Sequence, residues 1–407
     1  MTTKSPLRVI SVFCAAQVLA QLGGFTFAAL LPTLFGDWSL SHSEAGWLSG
    51  IFFGAYALSV PVLVTLTDRI PARSIYLGAV LLTTASHLAM ALVAEGFWSA
   101  FVLRVAAGVG WAGTYMVGLR ALTDEVSGTS QSRAVAANAA SIGVSGALSF
   151  LLAGSLVSWF GWNWAFAVVG VCSLGAFVIA WYLFPRRRPE GGGNTGLFDF
   201  RPVLRNRSAM AYSLGYCAHT WEMFVLRSWV VTFLVFTMHL HGSRVSWLIP
   251  TVVAMLMEVV GTAFSVLGNE MAVRIGRRRW ILMVMCGSMC CAAVLGFVSG
   301  ISYWATAAAC LVYNAFIYAD SASLTAGAVG SAEPDRKGAT MAMHALLGYS
   351  GGFVGPLTLG VMLDLMGGET VLNWGLGFGH VAVIMLVGPT ALLVLRPRDL
   401  EGDRRRA

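Results

Sequence analysis

Charge is scarce in this chain. Asp, Glu, Lys and Arg together make up 11% of its 407 residues, against 57% hydrophobic residues and a mean hydropathy of +0.74. So few charges cannot cover a globular surface with groups that water solvates, which excludes a soluble protein. No stretch is long and polar enough to form an appended sensor domain. No G-x-x-x-x-G-K loop and no Ser–His–Asp spacing occurs, so neither ATP hydrolysis nor any other enzymatic activity is expected. The seven cysteines, Cys14, Cys172, Cys217, Cys286, Cys290, Cys291 and Cys310, all fall in apolar runs, which excludes a disulfide framework of the secreted kind. A small-residue cleavage site is also missing after the first apolar run, so that run reads as a span and not as a removable signal.

What the chain does have is apolar runs. With about 20 residues needed to cross a hydrocarbon core of about 30 Å as helix, twelve candidates emerge. They lie at Val9–Phe35, Glu44–Leu66, Ser74–Ala94, Phe97–Leu119, Ala134–Trp159, Trp164–Phe184, Ala209–Phe236, Val245–Leu267, Trp280–Ser299, Tyr303–Ala326, Ala339–Leu363 and Asn373–Leu395. Of the 26 Lys and Arg residues, all but Arg104, Arg227 and Arg244 fall into seven clusters in alternate connections. Retention of positive charge in the cytoplasm places those clusters, and both termini, inside. The net charge of +7 is thereby accounted for by topology and by anionic lipid, with no nucleic-acid partner implied.

The longest internal polar stretch, around Arg186 to Asn194, divides the spans six and six. The expected organisation is a six-helix bundle over 1–185, a cytoplasmic linker over 186–208, and a second six-helix bundle over 209–407 ending in a short basic tail. Two features recur at an offset of 205 residues. Asp68-Arg69-Ile70-Pro71-Ala72-Arg73 matches Val273-Arg274-Ile275-Gly276-Arg277-Arg278, and Gly143-Val144-Ser145-Gly146 matches Gly348-Tyr349-Ser350-Gly351. A shared offset argues for duplication of a six-helix unit, an arrangement that places a binding site near the midplane.

At this point the chain resembles the major facilitator superfamily over nearly its whole length. Val64-Thr65-Leu66-Thr67-Asp68-Arg69-Ile70-Pro71-Ala72-Arg73 is similar to the family's G-x-x-x-D-R-x-G-R-R loop, with Val64 and Pro71 in place of both glycines. Arg104-Val105-Ala106-Ala107-Gly108-Val109-Gly110 resembles its R-x-x-x-G-x-G segment, and Gly161-Trp162-Asn163-Trp164-Ala165-Phe166 its G-W-R-W-x-F entry to the sixth helix. The resemblance implies an all-α fold of twelve transmembrane helices in two pseudo-symmetric bundles, with the first, fourth, seventh and tenth lining a cavity. It also implies a cytoplasmic gate built on Asp68 with Arg69, Arg73, Arg274 and Arg278. The competing reading of that loop is a charged turn that only sets topology.

An ionisable side chain within a span costs roughly 2.5–3.5 kcal/mol on insertion scales, so each one asks for a partner, water or a function. In the seventh span His219 and Glu222 are three residues apart and share a helix face, a pair able to hold and pass a proton. Asp320 in the tenth span and Glu258 in the eighth complete the proton-handling candidates. Each has a plainer reading as half of a static ion pair, with Arg104 or Arg227 as the other half. Arg104, Gly108, Trp111 and Tyr115 recur on one face of the fourth span and offer a guanidinium above two aromatic surfaces. With Arg227, Gln17 and Gln21 of the first span, and Tyr313 and Asn314 of the tenth, they form the substrate-cavity candidates; Gln17 and Gln21 could equally be interhelical glue. Met283, Met285, Cys286, Met289, Cys290 and Cys291 would suit Cu(I), or serve as ordinary apolar filler; no metal site and no cofactor is expected. The pattern reads as a monomeric secondary transporter of the inner membrane, moving a small organic solute, with a weak lean toward an anion, in exchange with or alongside protons. The alternatives are efflux of cationic or amphipathic drugs and, further off, copper uptake or a non-transporting sensor.

Overall fold

The computed structural model describes residues 5–126, 129–186, 200–243, 249–333, 336–398 and 400. Most of the expected linker, together with Arg244 and the basic tail beyond residue 400, lies outside those residues. Every element among them is helical: α1 (Pro6–Gln21), α2 (Thr26–Trp38), α3 (His42–Leu66), α4 (Ala72–Val93), α5 (Phe97–Thr123), α6 (Thr129–Phe160), α7 (Trp162–Leu183), α8 (Arg201–Arg205), α9 (Arg207–Leu240), α10 (Pro250–Ile275), α11 (Arg277–Val298), α12 (Tyr303–Gly330), α13 (Lys337–Leu365), α14 (Val371–Met385) and α15 (Val387–Leu395).

Eleven spans among the described residues are long and apolar enough to cross a membrane, counting α1 with α2 and α14 with α15 as single crossings. The remaining apolar run of the sequence, the tenth, is α12. It is long enough at 28 residues but is less apolar, because Asn314, Asp320, Ser321, Ser323 and Thr325 lie within it. The first run, expected to be continuous, is broken at 22–25, where Gly23 and Gly24 interrupt it. The freed amide of Phe25 donates to the Ser149 hydroxyl at 3.2 Å, as an interrupted helix away from water requires.

The chain forms two compact units, one from residues 1–39 and 54–195, the other from 40–53 and 196–407. Within the second unit the first half of α3 lies against α13, where a Cβ on Gly46 would meet the Pro356 carbonyl and one on Gly50 the Phe353 carbonyl. In the first unit, α4 packs against α5 and α7, and α1 against α6 and α7. Its interior joins Phe13, Tyr76, Val80, Val117, Leu122 and Phe184, with the rings of Phe13 and Phe184 stacked at 3.8 Å. In the second unit α9 is central, packed on α12, α13 and α15, while α10 pairs with α12 and α11 with α14.

Small residues set how closely these helices approach, as expected where lipid offers apolar side chains no reason to prefer one another. A Cβ on Gly268 of α10 would collide with the Ala319 carbonyl of α12. The two copies of the short basic loop also differ for a physical reason. Gly276 has φ of 105°, a conformation that lets α10 turn directly into α11, whereas Pro71 at the equivalent place has φ of −51° and starts α4.

Candidate functional site

In the second unit α9 carries a column of polar side chains. Ser213, Tyr216, His219, Glu222 and Arg227 follow one another at helical spacing over about 21 Å of axis, and all but Tyr216 are fully buried. Each meets a different neighbour. His219 Nδ1 lies 2.8 Å from Asp320 Oδ1 on α12, at ion-pair distance though off the line of a hydrogen bond. Glu222 accepts a short hydrogen bond from the Ser288 hydroxyl of α11 and faces Tyr313 of α12. Arg227 engages Glu258 of α10 side-on, Nε and Nη2 donating to the two carboxylate oxygens, with Nε to Oε1 at 2.7 Å. Tyr318 closes this pair, its hydroxyl 3.4 Å from Glu258 Oε2 and its ring 5.3 Å below the guanidinium.

The acids thus divide by environment. Glu258 is matched by a fixed cation, while among the described residues Glu222 meets the hydroxyls of Ser288 and Tyr313 and Asp320 the imidazole of His219. Glu222 and Asp320 are near enough for their charges to repel. Below them, Tyr216 lies between two imidazoles, stacked on His219 at 5.5 Å and on His344 of α13 at 4.1 Å. His344 in turn lies 3.3 Å from Ser213 Oγ and 3.4 Å from Thr325 Oγ1. Asn314 is buried but turned to the Met257 carbonyl at 2.6 Å, so it ties α12 to α10.

The first unit holds the other candidates. Gln21 donates to Thr114 Oγ1 at 2.9 Å next to the break between α1 and α2, and Gln17 is buried a turn away. Trp111 sits between Tyr56 and Tyr115, with centroid distances of 5.1 and 6.2 Å. Arg104 is buried with its guanidinium 5.0 Å over the Phe27 ring, and His87 packs against Gly23. A helix break, an arginine and an aromatic face therefore occur within one unit.

The loop residues separate. Asp68 pairs with Arg120 at 2.9 Å within the first unit, and Arg69 is exposed. Arg73 donates to the Trp181 carbonyl and covers the Trp181 ring at 5.3 Å. In the second unit Arg274 pairs with Glu270 on its own helix at 2.8 Å. Arg277, read from sequence only as a topology charge and not as a gate residue, is the buried one, donating to Asn269 Oδ1 at 3.1 Å. The soft side chains of α11 do not converge: Met283, Cys286 and Cys290 are exposed, whereas Met285 is buried. His87, His344 and Ser288 escaped the sequence reading. An ionisable group inside a span is the signal that flags both histidines, and no signal distinguishes Ser288 from other serines.

A family model described as Major Facilitator Superfamily matches residues 13–356. The chain belongs to this superfamily. The facilitator is a multi-pass membrane transporter and not an enzyme. It is 24% identical over 240 residues to human protein spinster homolog 1, an alignment covering 56% of the chain and 45% of that protein. To the multidrug resistance protein B homolog of Mycobacterium tuberculosis it is 27% identical over 198 residues, 49% of the chain and 36% of that protein. The chain therefore spans less than half the length of the curated relatives it matches. Its fold is that of a crystallised bacterial homologue of the human lysosomal transporter Spinster, with a TM-score of 0.76 at 17% identity over 97% of both chains.

Proposed function

We propose that this facilitator is a proton-coupled secondary transporter that moves a small organic solute across the inner membrane as a monomer, by alternating access. One observation carries the coupling: of the three buried acids among the described residues of the second unit, Glu222, Glu258 and Asp320, only Glu258 has a fixed cation among those residues. A buried carboxylate without one is stable only when a proton or cation accompanies it. Glu222 and Asp320 are accordingly the residues that load and release protons, with His219 as the partner of Asp320.

The solute contacts assigned to the first unit are Gln17, Gln21, Arg104, Trp111 and Tyr115. The lean toward an anionic solute is assigned to Arg104, buried over the Phe27 ring in the same unit as the aromatic face. The name of the multidrug-resistance relative supports a second reading, efflux of a cationic amphipathic drug held by Glu222 or Asp320 and the aromatic face. The role proposed for Asp68 is a cytoplasmic gate charge, set by its pairing with Arg120.

Reconstituted protein should accumulate or expel solute in response to an imposed pH gradient, tested with a panel of carboxylates, amino acids, amines and aromatic drugs. Glu222→Gln and Asp320→Asn should each abolish that response while leaving solute binding measurable. A gradient-independent flux in the unaltered protein would refute the coupling. Response to amines alone, lost in Asp320→Asn and kept in Arg104→Ala, would decide for the efflux reading.

A further inference from the structure

At the end of the second unit where arginines gather, the structure holds a basin of about 1110 Å³. Its walls are the α8–α9 turn, the last turn of α12 and the segment that follows α15. Four arginines line it, Arg205, Arg207, Arg396 and Arg398, against a single lining acid, Glu333. Asp399, next in the chain, lies outside the described residues.

The basin is constructed by specific contacts. Asn206 caps α9 by accepting from the Ala209 amide at 3.1 Å and ties the turn to α12 by donating to the Ser331 carbonyl at 2.8 Å. The far wall folds back because Arg396 takes a left-handed conformation, with φ of 48°, at the end of α15. The Arg398 amide then reaches the Ser208 hydroxyl at 3.1 Å, and Leu400 packs onto Gly330, where any side chain would collide with it. A non-glycine residue held at positive φ costs free energy, and here it directs a basic segment over the basin. Arg207 is anchored by donating to the Val394 carbonyl at 3.3 Å, while Arg205, Arg396 and Arg398 are exposed to the opening.

Side chains with five donors and no acceptor, gathered around one opening, select a multidentate oxyanion. The rim adds a second property. Leu393, Val394 and Leu204 are exposed beside the arginines, at 51%, 61% and 54%. These side chains belong to spans or border them, so in a bilayer they meet acyl chains at headgroup depth.

We infer that this basin binds a phosphate-bearing anion, and that its occupant is the headgroup of an anionic phospholipid whose chains lie along Leu393, Val394 and Leu204. The site is separate from the buried acids and does not depend on their role in proton coupling.

Native mass spectrometry of the full chain, released from nanodiscs containing equal phosphatidylglycerol and phosphatidylcholine, tests this. The unaltered protein should retain phosphatidylglycerol in roughly tenfold or greater preference, since each basic residue near an anionic surface contributes about a factor of five to ten. Arg205→Gln with Arg398→Gln should remove the preference. The corresponding Lys pair, which keeps charge and controls for folding, should retain part of it, and Arg133→Gln on the other unit should retain all of it. Displacement of the lipid by millimolar inorganic phosphate would keep the phosphate site but assign it to a soluble ligand. Equal retention of the two lipids, or full preference in the Gln pair, would overturn the proposal.

Discussion

Removing the carboxylate of Glu258 should be among the most damaging single changes in the second unit, and the structure says by how much. Arg227 is 5% exposed and Glu258 1%, and the guanidinium meets the carboxylate side-on through two hydrogen bonds. At an effective dielectric of about 20 and a charge separation of about 4 Å, their attraction is of order 4 kcal/mol. Desolvation offsets most of that for the intact pair, so the pair itself contributes little net stability. Breaking it is another matter: Glu258→Gln leaves a guanidinium that cannot release its proton, and the expected cost is about 3–5 kcal/mol. Arg227→Met should cost less, because a lone buried carboxyl can become neutral by taking up a proton. Arg227→Met with Glu258→Leu should recover most of the loss. Equilibrium unfolding by SDS in mixed micelles of these proteins, with Glu258→Leu alone added to close the double-mutant cycle, measures the coupling. A cost below about 1 kcal/mol for Glu258→Gln would refute the reasoning, by showing that Arg227 is satisfied without its acid.

Three further outcomes follow from the same structure. Asp68→Asn removes a half-exposed pair with Arg120 and should cost at most about 1 kcal/mol in stability, yet slow transport measurably; spin-label distances at the cytoplasmic side that match the unaltered protein would reduce Asp68 to a topology residue. Gly268→Leu should prevent α10 from seating on α12 and lower expression of folded protein, read by size-exclusion chromatography, whereas exposed Gly78→Leu on α4 should be tolerated. Glu369, in the loop between α13 and α14, is half-buried, and burial pushes its carboxyl up to about 7. The folded protein then holds a proton that the unfolded chain has released, so stability should fall by of order 1–2 kcal/mol as pH rises from about 4.5 to about 7. Glu369→Gln should flatten that part of the stability profile, and an unchanged slope would contradict the assignment.

The architecture was legible because lipid imposes a length and charge rule on every span, and the runs and arginine clusters follow it. Two details have physical causes. α12 falls short of the apolarity of its neighbours because it carries the polar side chains that face the interior, so the helix richest in candidate chemistry is the least conspicuous as a span. The break after Gln21 was written in Gly23 and Gly24, but only the hydroxyl of Ser149, 124 residues away, makes it stable. Within the site, helical spacing sets His219 and Glu222 one turn apart on α9, yet it could not assign their partners. Whether Arg227 answers Glu258, Glu222 or Asp320 depends on which helices pack together, and one helix face carries no information about the next. The same gap hid the Tyr216–His344 stack, since α13 reaches α9 only after folding.

Proton movement coupled to solute is the central claim, and the most direct measurement of it is the electrical current of proteoliposomes adsorbed on a solid support, recorded on exchange of solute at a fixed pH gradient. The unaltered protein should give a solute-dependent current that reverses when the gradient is reversed, and Glu222→Gln with Asp320→Asn should give none while still binding solute. A current of full size in that double variant would place proton coupling elsewhere in the molecule and contradict the account.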